Sequence, residues 1–583
     1  MNTATASKTD VTSSAYLFEC KGIQRYVFGS GRLRQVIGAS DLIAGIARSD
    51  GDDVLKPVFA AIGLEEPPMS RRAGASFCAH ADGETLSRFR RLWRIVAGVR
   101  YPGLEFSDVE PAAAITDLKA AQGAYSRLTT VRENSTAFLP PTGHPFVATN
   151  PRTGLLAVAR SSRDANEYLD AVGEGAYRRG EELAKVGGVD ADRLAADFIP
   201  EAEANTDAPY RFPRHFEPAE ATACNPAFPF PGRDKRIGVV HADLSGLGQV
   251  FQSLMESAER SSDVFRVATA IESAIVEAAR SACAATLLPR AIDPSDKPER
   301  FGDLLGRDRK RAGTHKMRIV PARPVLLGGD DLTIIVRADL AVAFSERFLI
   351  AVENETAKAF SALREQCEQF STLPERLSAC AGIAIVSAGH PFTVAERLAE
   401  GLCDSAKTRA KSRCPQAPYP SYLDFAVVTS TIDESLASWR TREQTIAADP
   451  TEDGGPVSTA AGPRRVDGEH ADDIADSLKS LLDLAEALNA APGRGKLLET
   501  LGLRHDSKDS AQAAWRRFWT VLASDSRPVW EQLHAALKTC RPEIGDGDPP
   551  DLDRSIALVS DALELLDVGA APHPYEAEAE ARP

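Results

Sequence analysis

The 583-residue chain contains no run of about 18 or more uncharged apolar residues, which excludes a membrane-spanning helix of ordinary length. Its opening stretch, Met1 to Ser14, is polar, rich in Ser and Thr, and lacks the apolar core of a signal peptide. A cytoplasmic location is expected, with residues 1–14 disordered and no contact with membrane. The nine cysteines are scattered, odd in number and never spaced as C-x-x-C, so neither a disulfide framework nor a zinc ribbon is indicated. No zinc is expected, and most of these thiols read as small buried hydrophobes. A surplus of positive charge is missing too. With 68 Lys and Arg against 83 Asp and Glu, the formal net charge of −15 argues against a protein that coats nucleic acid through its phosphates.

What remains is an ordinary globular composition, 43% hydrophobic and 26% charged, over a length that needs several domains. Cations do cluster locally. Arg32, Arg34, Arg71, Arg72, Arg88, Arg90, Arg91 and Arg94 crowd the first hundred residues, and Arg307, Arg309, Lys310, Arg311 and Lys316 follow later. Each cluster taken singly reads as a solvated face.

The most informative residues are Gly328-Gly329-Asp330-Asp331. They lie between two strand-forming runs, Pro324 to Leu327 and Leu332 to Val336, so two adjacent carboxylates are expected at a tight hairpin tip. The glycines allow φ > 0 and let a phosphate or ribose approach the backbone. Oxygen ligands with little else nearby suit Mg²⁺ or Mn²⁺. Taken alone, the string is also an acceptable surface turn.

The flanking chain adds to it. Residues 236–243 read as a strand in which Ile237, Val239, His241 and Asp243 share one face. After Leu244-Ser245-Gly246, the apolar positions Leu247, Val250, Phe251 and Leu254 take up helical spacing. Downstream come the hairpin, a helix over about 340–369, a strand from Cys380 to Val386, a helix over about 392–411 and a strand from Leu423 to Val428. In that βαββαβ order the first strand neighbours the hairpin, which predicts a cluster of Asp243, Asp330 and Asp331. Three such carboxylates repel one another, and divalent cations resolve the conflict. Lys407 emerges at the edge of a helical apolar stripe, either within reach of nucleotide phosphates or snorkelling to solvent.

The N-terminal segment repeats this grammar without the acids. A strand at Tyr16 to Glu19, a turn at Cys20-Lys21-Gly22 and a helix from Ile23 align Glu19 with Asp243 and Gly22 with Gly246. Gly74-Ala75-Ser76 then falls where Gly329-Asp330-Asp331 stands. A strand near Leu104 to Val109 and a helix over about 111–131 complete the repeat. The fold class is therefore α+β, with two ferredoxin-like palm domains and a helical C-terminal domain. Expected boundaries are 15–137 for the degenerate first palm, 138–235 for a helical and looped inter-palm region, and 236–430 for the second palm. A polar linker over 431–470, a helical domain over 471–567 and a disordered tail over 568–583 follow.

In the ordered combination of Lys21-Gly22-Ile23-Gln24, His241-Ala242-Asp243-Leu244-Ser245-Gly246-Leu247-Gly248, Leu327-Gly328-Gly329-Asp330-Asp331 and Ser405-Ala406-Lys407, the chain resembles the large palm-domain subunit of type III CRISPR effector complexes. The resemblance spans residues 15–430. It implies synthesis of cyclic oligoadenylate from ATP with Mg²⁺ or Mn²⁺, in antiviral defence. It also implies other effector subunits and a guide RNA as partners, with target RNA as activator. Asp243, Asp330 and Asp331 become the metal ligands and catalytic carboxylates, with Leu244, Ser245, Gly248, Gly328, Gly329 and Lys407 around the nucleotide. Departures accompany the likeness. The first palm starts almost at once with no His-Asp pair ahead of it, so DNA cleavage by a His-Asp nuclease domain is not expected. Ser245 stands where palms often carry Asp or Asn. Diguanylate cyclases share the fold, but Asp331 and Leu332 replace the Glu and Phe of their hairpin. A non-catalytic nucleotide-binding scaffold and a stand-alone palm cyclase are the alternatives.

Overall fold

The computed structural model describes residues 13–29, 32–47, 54–63, 69–72, 76–114, 116–133, 146–161, 167–186, 193–200, 208–230, 235–257, 261–314, 316–429, 435–446, 456–466, 471–542 and 550–570. The expected disordered stretches fall largely outside these residues. At the edges Ser13 and Ser14 belong to the first strand, and Val568 and Ala570 are buried, so the ordered chain extends past both expected boundaries.

The first palm opens with β1 (Ser13–Lys21), α1 (Ile23–Phe28), α2 (Leu33–Ala47) and α3 (Leu55–Ala61). It continues through β2 (Met69–Arg72), β3 (Ser76–Ala81), α4 (Gly83–Arg100), β4 (Glu105–Asp108), β5 (Ala112–Ala114) and α5 (Asp117–Glu133). The sheet runs β2-β3-β1-β4, with β5 also on β1. Alternation along β1 divides its side chains between two layers. Tyr16 and Phe18 meet Phe77 and the α4 residues Phe89 and Trp93, while Ala15 and Leu17 meet Ala120, Ala121, Ala124 and Leu128 of α5. Both faces are covered, which is why β1 reads as a continuous apolar run.

A helix, α6 (Ala171–Val186), follows in the expected inter-palm region, but it packs along α2 and so joins the first palm. Gly38 and Gly180 make the approach possible, since a Cβ on Gly38 would run into the backbone of Ala176 and Gly180. The Phe- and Pro-rich crossover folds onto the second palm, where Phe216 packs against Phe228, Phe230 and Phe392.

The second palm repeats the first. Its elements are β6 (Arg236–Ser245), α7 (Leu247–Ser257), α8 (Ser261–Thr286), β7 (Ala322–Gly328), β8 (Asp331–Arg337), α9 (Ala338–Gln366), β9 (Ser378–Ser387), α10 (Phe392–Arg413) and β10 (Tyr422–Val427). The sheet order β7-β8-β6-β9-β10 begins with the arrangement of the first palm. Ile237 and Val239 face α10, whereas Val240, Ala242 and Leu244 face α8 and α9. Strand β9 and helix α10 come unusually close at Gly382, where a Cβ would penetrate the Ala399 carbonyl oxygen and the Cys403 amide nitrogen and lie 2.8 Å from the Leu402 Cβ.

The expected linker over 431–470 carries structure. Helix α11 (Leu436–Glu443) buries Trp439, and β11 (Arg464–Arg465) pairs with β10 as the outer strand of the palm sheet. Arg440 holds buried Asp424 of β10 through two hydrogen bonds of 2.8 and 3.0 Å, an anchor that the polar composition concealed. The helical domain consists of α12 (Leu478–Ala490), α13 (Arg494–Asp506), α14 (Lys508–Asp525), α15 (Arg527–Cys540) and α16 (Leu552–Asp567). Its Leu- and Trp-rich core is continuous with the core of the second palm, so the bundle is seated on the palm rather than set apart from it. No helix among the described residues is long and apolar enough to cross a membrane.

At this seat Asp561 is buried. It accepts a hydrogen bond of 3.0 Å from the Ala461 amide, and burial pushes its carboxyl up to about 7 despite nearby Arg464. Glu564, one helical turn on, is pushed up to about 8 by burial and by Asp561. Because both pKa values lie above those of an unfolded chain, the folded state holds protons that the unfolded state releases. Their contribution is complete below about pH 4 and is lost as pH rises through 7 to 8. Asp561→Asn is expected to flatten that loss, so that its Tm advantage over the parent is larger at pH 8 than at pH 5. Gly382→Ala is expected to lower stability by about 2 kcal/mol or more through overpacking, read as a fall in Tm, because backbone on both sides resists displacement.

Candidate metal and nucleotide site

Strand pairing builds the site. In the β8–β6 register Asp331 sits opposite Asp243, and Gly328 pairs with Asp331 across a two-residue turn of Gly329 and Asp330. Gly329 has φ of 67°, a left-handed conformation that disfavours side chains. The Leu244 amide donates to the Asp330 carbonyl oxygen at 3.1 Å, tying the hairpin tip to the end of β6. Asp243, Asp330 and Asp331 each present an oxygen within 4.8 Å of the others. The three acids predicted from sequence are thus brought together.

Burial and mutual repulsion shape their electrostatics. Burial raises the Asp331 carboxyl to about 8, helped by Asp330 and Asp243 and opposed by Lys407. Asp243 is raised to about 6, chiefly by burial, with Lys407 again opposing. The Lys407 ammonium forms an ion pair with the Asp243 carboxylate. A cation is therefore already seated on one of the three acids. An all-oxygen donor set, partly buried, with carboxylates that resist ionisation, fits a hard divalent cation.

The other expected residues take varied places. Gly248 opens α7 on an exposed face, with nothing within 4 Å of where a Cβ would stand, leaving room for a ligand, and Gly328 lies in the sheet behind the tip. Leu244 and Ser245 are buried. The Ser245 hydroxyl lies 3.7 Å from the Cys380 thiol, so its side chain contributes to packing beneath the site. Gly246, with φ of 83°, turns the chain from β6 into α7 against Tyr419, whose hydroxyl accepts from Gln249 at 3.2 Å.

Several neighbours of the site carry no role assigned from the sequence. Glu400 and Asp404 stand on α10 beside Lys407, and Glu400 adds to the upward shift of Asp331 while Asp404 adds to that of Asp243. Their i, i+4 spacing was the available signal. His241 lies buried two residues before Asp243, its imidazole pushed down to about 4 by burial and by Lys407. Gln24, from α1 of the first palm, approaches the His241 Nδ1 at 3.4 Å, so the first palm reaches the floor of the second palm's site.

The first palm shows the equivalent register, with Glu19 opposite Ser76. Gly22, with φ of 58°, matches the turn at Gly246. Arg132 holds Glu19, its Nε donating at 2.6 Å. One carboxylate facing a guanidinium and a serine offers no cation the ligand set of the second palm. The expected hairpin turn at Ala73, Gly74 and Ala75 lies outside the described residues.

No protein-family model matches the chain, and no curated protein matches it. Among solved structures it is similar to the Csm1–Csm4 cassette in complex with cA4, at 13% identity, 97% of this chain, 71% of that chain and a TM-score of 0.46. Csm1 in T. onnurineus gives 15% identity, 96% and 70% coverage and a TM-score of 0.42. The cassette in complex with one ATP gives 12%, 96%, 70% and 0.41.

Mn²⁺ binding, followed by the electron paramagnetic resonance signal of the free ion, checks the assignment. Asp330→Asn with Asp331→Asn is expected to weaken it by about tenfold or more. Lys407→Met is expected to tighten it, because a competing cation leaves Asp243.

Proposed function

We propose that the chain is a nucleotidyltransferase that joins ATP into short cyclic oligoadenylates with Mg²⁺ or Mn²⁺, as the large subunit of a type III CRISPR effector. The observation that carries this reading is the cluster of Asp243, Asp330 and Asp331 at a palm hairpin, with Lys407 among them. Asp243, Asp330 and Asp331 would hold the cation, which lowers the pKa of an attacking ribose hydroxyl and neutralises the departing pyrophosphate. The protein's own part is positioning. Exposed Asp330 meets the incoming nucleotide at the tip, and Gly328 and Gly329 let its phosphates approach the backbone. Lys407, seated on Asp243 without substrate, is within reach of phosphate once a cation takes over that carboxylate. The first palm, which keeps the fold and lacks the acids, supports the floor of the site through Gln24 of α1. Other effector subunits and guide RNA are the expected partners, with target RNA as activator.

Purified protein, alone and with its guide complex, is incubated with ATP and Mn²⁺, and pyrophosphate release is followed. Release should fall to background in Asp330→Ala with Asp331→Ala. Equal release from parent and variant would overturn the reading. ATP binding without any product, even with target RNA present, would favour a scaffold role for the palm.

A further inference from the structure

A second cleft, of about 940 Å³, opens at the other end of the second palm. Strand β9 runs from Cys380, beside Asp243, to Ser387 on the cleft wall, which separates the two sites by roughly 23 Å at about 3.3 Å per residue. The walls come from the start of α2 in the first palm, Arg152, Ser161 and Glu167 of the inter-palm stretch, Tyr177 of α6, the crossover around Arg214 to Glu217, Lys235 ahead of β6, and the turn from β9 into α10.

Its charge opposes that of the protein as a whole. Arg32, Arg34, Arg152, Arg214 and Lys235 line it, against the carboxylates of Glu167 and Glu217. In a chain of net charge −15, a local surplus of cations is unexpected for a merely solvated surface. Arg32 is paired with Glu167 at 2.8 Å, Arg34 with Glu181 at 3.1 Å and Lys235 with Glu217 at 2.9 Å, so these three acids are each matched by a cation, and Arg152 and Arg214 add to the lining beyond them. Arg152 is exposed at the rim.

A helix start in the cleft also suits an anion. Helix α10 begins in the cleft at Phe392 and Thr393, behind a proline that provides no side-chain cap, and its first turn carries no acid. The positive end of a 22-residue helix is thereby left open to an anion. Aromatic surface completes the lining: Phe216 and Phe392 lie with ring centroids 5.7 Å apart, and Tyr177 also lines the cleft, with the Arg34 guanidinium 5.8 Å from its ring centroid.

A groove of Arg and Lys with aromatic faces along it is how proteins hold single-stranded nucleic acid, the cations on phosphates and the rings against bases. The cleft is several times larger than a phosphate ion. We propose that it binds a short single-stranded oligonucleotide, with phosphates on Arg152, Arg214, Lys235 and the start of α10, and bases against Phe216 and Tyr177. Its ligand is either a segment of an RNA strand or a linear oligonucleotide of the kind the palm is proposed to make, and both share the same phosphodiester chemistry. The assignment rests on the cleft alone and stands whether or not the palm is active.

The test is fluorescence anisotropy of a labelled hexaadenylate on the full chain in EDTA, which removes divalent cations from the palm. Unlabelled RNA of mixed sequence and unlabelled linear triadenylate compete in separate arms, and the tighter competitor identifies the source. Arg152→Glu with Lys235→Glu, both at exposed or half-exposed positions, should weaken binding by about tenfold or more. The same pair should lower the slope of log K against log salt by about 1.4, at roughly 0.7 per lost phosphate contact. Glu217→Gln should tighten binding. Hexaadenylate affinity that is absent in the parent, or unchanged in both variants, would overturn the proposal, as would equal competition by polyglutamate.

Discussion

Everything at the candidate site depends on one strand register, the antiparallel pairing that sets Asp331 opposite Asp243. A slip of one residue by either strand would turn its carboxylate to the other face of the sheet, into the layer of α8 and α9, and part it from its partner. The register is held by burial on both sides. Ile237 and Val239 are committed to α10, and Val240, Ala242 and Leu244 to the opposite layer, so the strand has no alternative seating that keeps its apolar side chains from water. Gly382 reinforces this by letting α10 lie almost against β9, which brings Lys407 down to the acids.

Given that placement, the electrostatics follow. Three carboxylates confined within a few ångströms and partly removed from water cannot all ionise without counter-charge, and the chain supplies one cation of its own in Lys407. The first palm shows what the same framework becomes without those acids. Its Glu19 is neutralised by Arg132, and its contribution passes through α1 and Gln24 to the floor beneath Asp243. The repeat thus preserves backbone and turn, including the two left-handed glycines, while the chemistry differs between the copies.

Much of this was legible in the residues. The alternation of 236–243, the switch to helical spacing after Gly246 and the Gly-Gly-Asp-Asp turn are local signals, and each gave its element within a few residues. Asp243 joined the acids through the order of elements alone. The stretch 431–470 was misread because its polar composition hides long-range anchors, Trp439 in the core and Arg440 on Asp424, that no local pattern announces. The seat of the helical bundle was equally hidden. An amphipathic helix declares that it has a buried face, but not which surface covers it.

The sequence by itself determined the kinds of element, the duplication of the palm and the identity of the three acids, because period and turn chemistry are written in neighbouring residues. Only the tertiary structure decided that Lys407 rests on Asp243, that Glu400 and Asp404 press on the site from α10, and that Ser245 faces inward. It also gathered Arg32, Arg152, Arg214 and Lys235 into one cleft. Those outcomes depend on distances between side chains far apart in the chain, and electrostatic energy is set by such distances and by burial rather than by order along the sequence.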